Sequence, residues 1–191
     1  MRRETGVMRR LILAISALLL PLLAAPSALA DPYVDNALID ELFAELALSD
    51  DENEADAISR QIWFAWFSPN DIKLSTRMSV ATNLLGEGDP EGSLVELNHV
   101  VEEYPDYAEG WNQRATLHFR FGNYEESLAD IEKVLAIEPR HYGAMAGRVL
   151  IFLQQDRRLD ALRQMREALL IHPYLNERRL FPELERDITH V

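Results

Sequence analysis

Apolar residues recur along the chain at intervals of three and four, and the pattern is broken at regular points by proline, glycine and short acidic clusters. The stripe Leu94, Leu97, Val100 returns as Leu128, Ile131, Val134 and again as Leu162, Met165, Ala168. That spacing lays each set along one face of a helix. Pro105, Pro139 and Pro173 follow the three stripes at a constant spacing of 34 residues, each closing a helical segment. Gly88-Asp89 and Gly122-Asn123 interrupt the first two units midway, glycine tolerating positive φ and Asp or Asn bonding its own backbone. Each unit therefore reads as helix, turn, helix. The third has Asp156-Arg157 at the turn and lacks the glycine.

Counted from Leu74, Ala108 and Tyr142, position 8 holds Ala81, Ala115 and Val149, and position 20 holds Ser93, Ser127 and Ala161. Small side chains there let the two helices of a unit approach closely, while position 27 meets the first helix of the next unit. The middle unit carries Trp111, Ala115, Gly122, Tyr124, Leu128, Ile131 and Pro139 at positions 4, 8, 15, 17, 21, 24 and 32. It resembles a tetratricopeptide repeat, departing at Arg114, His118, Ser127 and Val134, where leucine, tyrosine and two alanines are common. The resemblance implies an all-α, right-handed solenoid with units over 74–107, 108–141 and 142–175.

Solenoid ends need covers, because an uncapped unit exposes its apolar interface. Asp35 to Ser49 and Asn53 to Phe67 read as a helical pair, so 31–73 is expected to be an N-terminal cap or degenerate repeat. The joint DDENEAD between them reads as a solvated linker whose acids favour the start of the following helix. Trp63 and Phe67 are expected to pack on the first unit, and Trp66 to cover the cap. Over 176–191, Leu175, Leu180, Phe181, Leu184 and Ile188 suit a short capping helix that Pro182 starts or interrupts.

The first 30 residues differ from the rest. Met8 to Ala30 has a basic start, an apolar core from Leu11 to Leu20, Pro21, and small residues at Ala28 and Ala30, the layout of a secretory signal cut after Ala30. The same stretch is also long enough for an uncleaved anchor; Pro21 and the small residues favour cleavage and a periplasmic destination. Beyond the leader, 161 residues carry 31 acids against 15 bases, a formal charge of −16. That balance disfavours nucleic acid and anionic membrane surfaces as partners. With no cysteine, disulfides, thiolate metal sites and cysteine nucleophiles are excluded.

No pair of histidines has metal-binding helical spacing, and neither a phosphate loop nor a nucleophile elbow is present. His118, at an inward position, reads as a core residue with its ring nitrogen satisfied. The sequence thus points to no cofactor, no metal and no enzymatic role. In the family resembled here, the first helices line a concave groove that takes peptides or helices. Transferring the groove positions gives Glu109, Asn112, Gln113, Thr116, Phe119 and Arg120 in the middle unit, with Leu150 and Gln154 in the third. Asn112, Gln113 and Arg120 are the expected polar anchors for a protein or peptide partner. The basic clamp by which some members hold acidic chaperone tails is absent, its positions holding Met78, Thr82, Gln113, Gly143 and Gly147. The phrases AEGWNQRAT and ADIEKVLAIEPRHYGAMAG also resemble secreted bacterial proteins of this class, which implies a scaffold and little more. An alternative role is self-association through the aromatic cluster Trp63, Trp66 and Phe67.

Overall fold

The computed structural model describes residues 30–185. The leader and Ile188 therefore lie outside the described residues. Among those described there are no strands, and no helix is long and apolar enough to cross a membrane. Helices α3 (Ile72–Gly86) and α4 (Pro90–Glu103), α5 (Ala108–Arg120) and α6 (Tyr124–Ile137), and α7 (Tyr142–Gln154) and α8 (Arg158–Ile171) form three successive packed pairs, a solenoid. The small positions are all buried, and the Ser127 hydroxyl donates to the Ala115 carbonyl at 2.7 Å, joining α5 to α6 where they come closest. Between units, a Cβ on Gly110 would lie 2.7 Å from Val100, so position 27 abuts the next unit as the spacing predicts.

The three turns are the same turn. Gly88 and Gly122 have φ of 84° and 77°, and Asp156 adopts 57° without being glycine. In each, the residue after the left-handed one donates to a carbonyl five residues back: Asp89 to Leu84, Asn123 to His118 and Arg157 to Phe152, at 2.8–2.9 Å. This is the hydrogen-bond pattern of a left-handed helix cap, and Asp is among the few residues that adopt it at modest cost.

Arg114 also acquires a reason. Its guanidinium forks onto Asp130 at 2.8 and 2.7 Å, and Arg148 reaches Gln164 at 3.2 Å from the same position one unit later. Position 7 is thus tied to position 23 across both helical pairs. His118 does not fit its expectation: it is half-buried, 4.0 Å from Asp130, with Nδ1 unpartnered. Arg114 already holds both oxygens of that carboxylate.

Helices α1 (Asn36–Leu46) and α2 (Glu52–Phe67) form a hairpin. Asp51, in the acidic joint, caps α2 by accepting from the Asn53 and Glu54 amides. The hairpin does not simply extend the stack beyond α3. Helix α2 lies against α5 and α7 on the concave side, with Ile39, Leu46, Ile62 and Trp66 in the main core. At the C-terminal end, a 3-10 turn over Asn176–Leu180 precedes a four-residue helix α9 (Pro182–Glu185). Phe181, Leu175 and Leu184 are buried as expected, whereas Leu180 faces out and its carbonyl accepts from Arg158.

Candidate functional site in the concave groove

Glu109 stands at the centre of the groove, 1 % exposed. Its carboxylate accepts from the Asn112 amide at 3.1 and 3.3 Å, from the Gln113 amide at 2.5 Å and from His141 Nε2 at 3.1 Å. Glu109, Asn112 and Gln113 share a helix face by their spacing of three and four residues. His141 comes from the last position of the unit and caps α7, its Nδ1 accepting from the Ala144 amide at 3.1 Å. Because Nδ1 accepts, the ring proton sits on Nε2 and points at Glu109. The neutral imidazole lies flat on Trp66, with centroids 4.0 Å apart and planes 7° from parallel.

Helix α2 supplies the opposite wall. Trp63 stands edge-on to Trp66, His141 and Tyr142, and its ring occupies the space that a Cβ on Gly143 would enter, 2.4 Å away. Gly143 is a groove position, so the missing side chain is what admits the indole. Tyr107 donates to the Trp66 carbonyl at 2.8 Å and Tyr142 to the Ser59 carbonyl at 3.3 Å. Burial raises the pKa of both phenols, keeping them as donors.

The hairpin is tied down at both ends as well. Before α1, Asp31 is buried and accepts from the Ala108 amide at 2.8 Å, capping α5, whose own N-cap residue Tyr107 makes no side-chain capping bond. Burial pushes the Asp31 carboxyl up to about 6, against two backbone donors that pull it down. At the far end, Tyr174 donates to the Asp50 carbonyl, and Arg178 and Arg179 both pair with Glu52. Arg140 bridges Asp40 of α1 to Glu138 while lying over the Phe43 ring.

Ser59 Oγ lies 2.6 Å from His172 Nε2, the separation of a nucleophile and its base. The pair lacks the rest of such a site. His172 Nδ1 has no acid to orient it, and the backbone N–H groups of mid-helical Ser59 belong to the helix rather than to an oxyanion hole. Burial lowers the His172 pKa, so the neutral ring pins α2 to the end of the third unit. Among the described residues, no group of three or more His, Asp or Glu is placed to hold a metal.

What α2 leaves unfilled is a cavity of about 470 Å³. Of the groove residues expected from sequence, Asn112, Gln113, Thr116, Phe119 and Leu150 line it, whereas Arg120 and Gln154 are exposed elsewhere. Asn112 and Gln113 are not free anchors, because each side-chain amide already donates to Glu109, Gln113 Nε2 with one of its two N–H groups. Thr116 bonds the Asn112 carbonyl, and Phe119 packs on Tyr124. Of the aromatic cluster, Trp66 is 2 % exposed and is no surface contact, since its ring is sandwiched in the groove. Trp63 lines the cavity, packing on the third unit rather than the first. Phe67 does reach the first unit, beside Met78, Leu85 and Leu97, and stays partly exposed. The Glu109–His141 pair is the feature of the groove that the sequence pattern did not reveal. A carboxylate followed by two amides at three and four residues was its only signal.

The family model described as tetratricopeptide repeat matches residues 108–141. A TPR repeat-containing protein of Rhizobium etli is 36 % identical over 135 residues, covering 71 % of this chain and 66 % of the relative. SGT1 homologue proteins of Bos taurus and Homo sapiens are each 38 % identical over 64 residues, covering 34 % of this chain and 19 % and 18 % of theirs. The chain thus spans just under two thirds of the Rhizobium relative and under a fifth of the other two. Three pairs of helices in register, joined by three equivalent turns, and a bacterial relative aligned over most of their length make one conclusion: the chain belongs to the tetratricopeptide-repeat family.

Proposed function

We propose that the protein is a non-enzymatic interaction scaffold of the periplasm, and that a peptide segment of another exported protein binds in the part of the groove that α2 leaves open. The observation that carries this reading is the cavity itself, about 470 Å³, walled by α2 on one side and by groove positions of α5 and α7 on the other. Such a volume falls in the range of pockets that enclose a ligand. The leader-like composition of residues 8–30 supports export.

Gly147 provides the test, because it lines the cavity and a Cβ there meets only Ile131, at an ordinary 3.5 Å. Gly147→Phe is expected to fill the cavity, abolish binding on an array of peptides from exported proteins, and leave the melting temperature within a few degrees. Unchanged binding on the array removes the groove as the site. Cell fractionation with N-terminal sequencing checks location, the expected mature start being Asp31. Self-association keeps one supporting observation, the 72 % exposure of Phe64 beside Phe67. Sedimentation of the chain and of Phe64→Glu decides it, a concentration-independent monomer ending that reading.

A further inference from the structure

The charged groups in and around the cavity divide into those already paired and those left over. Glu109 does not line the cavity; its buried carboxylate lies behind Asn112 and Gln113 and is held by four hydrogen bonds from three side chains. The charged residues lining the cavity are Asp56 and Arg60 on α2 and Glu177 in the C-terminal 3-10 turn. Asp56 and Glu177 are half-buried and, among the described residues, no hydrogen bond or ion pair engages either carboxylate, although neighbouring acids such as Glu52 are paired. Arg60 is exposed, so its charge is screened by water. The cavity therefore combines two half-buried carboxylates that have no bonding partner among the described residues with apolar walls from Trp63, Phe119 and Leu150.

We propose that the occupant is an extended peptide presenting a lysine or arginine to Asp56 and Glu177, with an apolar side chain on the Trp63–Phe119–Leu150 wall. This rests on the groove reading above and adds the sign of the ligand. A lysine or arginine offers these carboxylates a charge-assisted hydrogen bond, which is stronger than one between neutral groups. The rest of the molecule reinforces the choice. A body of formal charge −16 draws basic segments toward it and repels acidic ones, so steering and local contacts favour the same partner. Acidic tails, by contrast, meet among the described lining residues only the exposed Arg60 as a cation.

The full-length chain is titrated with Ac-Ala-Lys-Leu-Lys-Phe-Ala-NH2 and with its glutamate counterpart, following tryptophan emission, to which Trp63 contributes. The lysine peptide is expected to bind, and the glutamate peptide to bind at least tenfold more weakly. Asp56→Asn with Glu177→Gln should weaken the lysine peptide about tenfold, and Asp56→Lys with Glu177→Lys should reverse the preference. Both variants are expected to keep their helical circular dichroism, because no hydrogen bond or ion pair among the described residues engages either carboxylate. Equal binding of the two peptides, no binding of the lysine peptide, or indifference to the charge variants overturns the proposal. Spermidine displacing the lysine peptide at equal concentration also overturns it, assigning the cavity to a free polyamine. If Gly147→Phe still abolishes binding while the charge variants change nothing, the groove reading stands and only the basic partner falls. If Gly147→Phe has no effect either, both fall.

Discussion

The three repeat units and the α1–α2 hairpin bury the same kinds of apolar residue, yet they reach close packing by opposite means. Between the helices of a unit the contact is made by small side chains in register: Ala81 with Ser93, Ala115 with Ser127, Val149 with Ala161. Nothing large intervenes, and the turns repeat to within a tenth of an ångström in their defining hydrogen bond. Between hairpin and groove the contact is made by large flat rings in mixed orientations, Trp66 stacked on His141 and Trp63 edge-on to Tyr142, around a buried carboxylate. The first interface is generic and can be repeated along a chain. The second depends on particular partners far apart in sequence, and each change tests whether the hairpin is part of the fold or a passenger in the groove.

The largest effect is expected from Trp66→Ala, which empties the centre of the interface and removes the face on which His141 rests. About 3–5 kcal/mol of stability should be lost by urea unfolding. A loss under about 1 kcal/mol would mark the hairpin as loosely seated. Next comes pH. Asp31 titrates near 3.8 in the unfolded chain and near 6 when it caps α5. Between those values the folded state holds the extra proton, so the contribution of Asp31 is greatest below about pH 4 and falls as pH rises, levelling above about 6. The amount is on the order of 2–3 kcal/mol. His172 has the opposite sense, its lowered pKa costing stability as pH falls through the ordinary histidine range. The difference between wild type and Asp31→Asn, measured from pH 4 to 7.5, isolates the first term; a flat difference contradicts it.

Gly143 and Gly147, one helical turn apart on α7, separate the occupied from the open part of the groove. Gly143→Ala drives a Cβ into the Trp63 ring and should destabilise by about 1–3 kcal/mol, with part of the loss recovered in the Trp63→Leu background. Gly147→Ala meets no obstruction and gains helix propensity, so it should stabilise by roughly 0.5–1 kcal/mol. Thermal melts of the two variants should move in opposite directions. If they move together, the groove is not divided as described.

Much of the solenoid was legible in advance because its rules are local. Proline spacing, small residues at two positions and a stripe at three- and four-residue intervals each act within one unit or between neighbours. Asp156 shows the edge of that legibility: the turn lacks glycine, yet the flanking helices still impose the left-handed residue. The candidate site was legible only in part. Thr116, Phe119 and Leu150 line the cavity as the repeat phase implies, while Asn112 and Gln113, chosen as free anchors, are engaged by Glu109. That engagement depends on His141, 32 residues away, and on the indole stacked upon it.

By itself, the sequence determined the repeat, its phase, the acidic surface and the absence of cysteine chemistry, since these follow from residue type and short-range spacing. Only the tertiary structure decided where the N-terminal hairpin goes. Aromatic pairs such as Trp63 and Trp66 suit an end cap and a groove equally well on sequence grounds. The outcome rests on complementarity that no local pattern records: a side chain missing at Gly143, a helix start at Ala108 that needs the Asp31 carboxylate, and a buried Glu109 with donors on three sides.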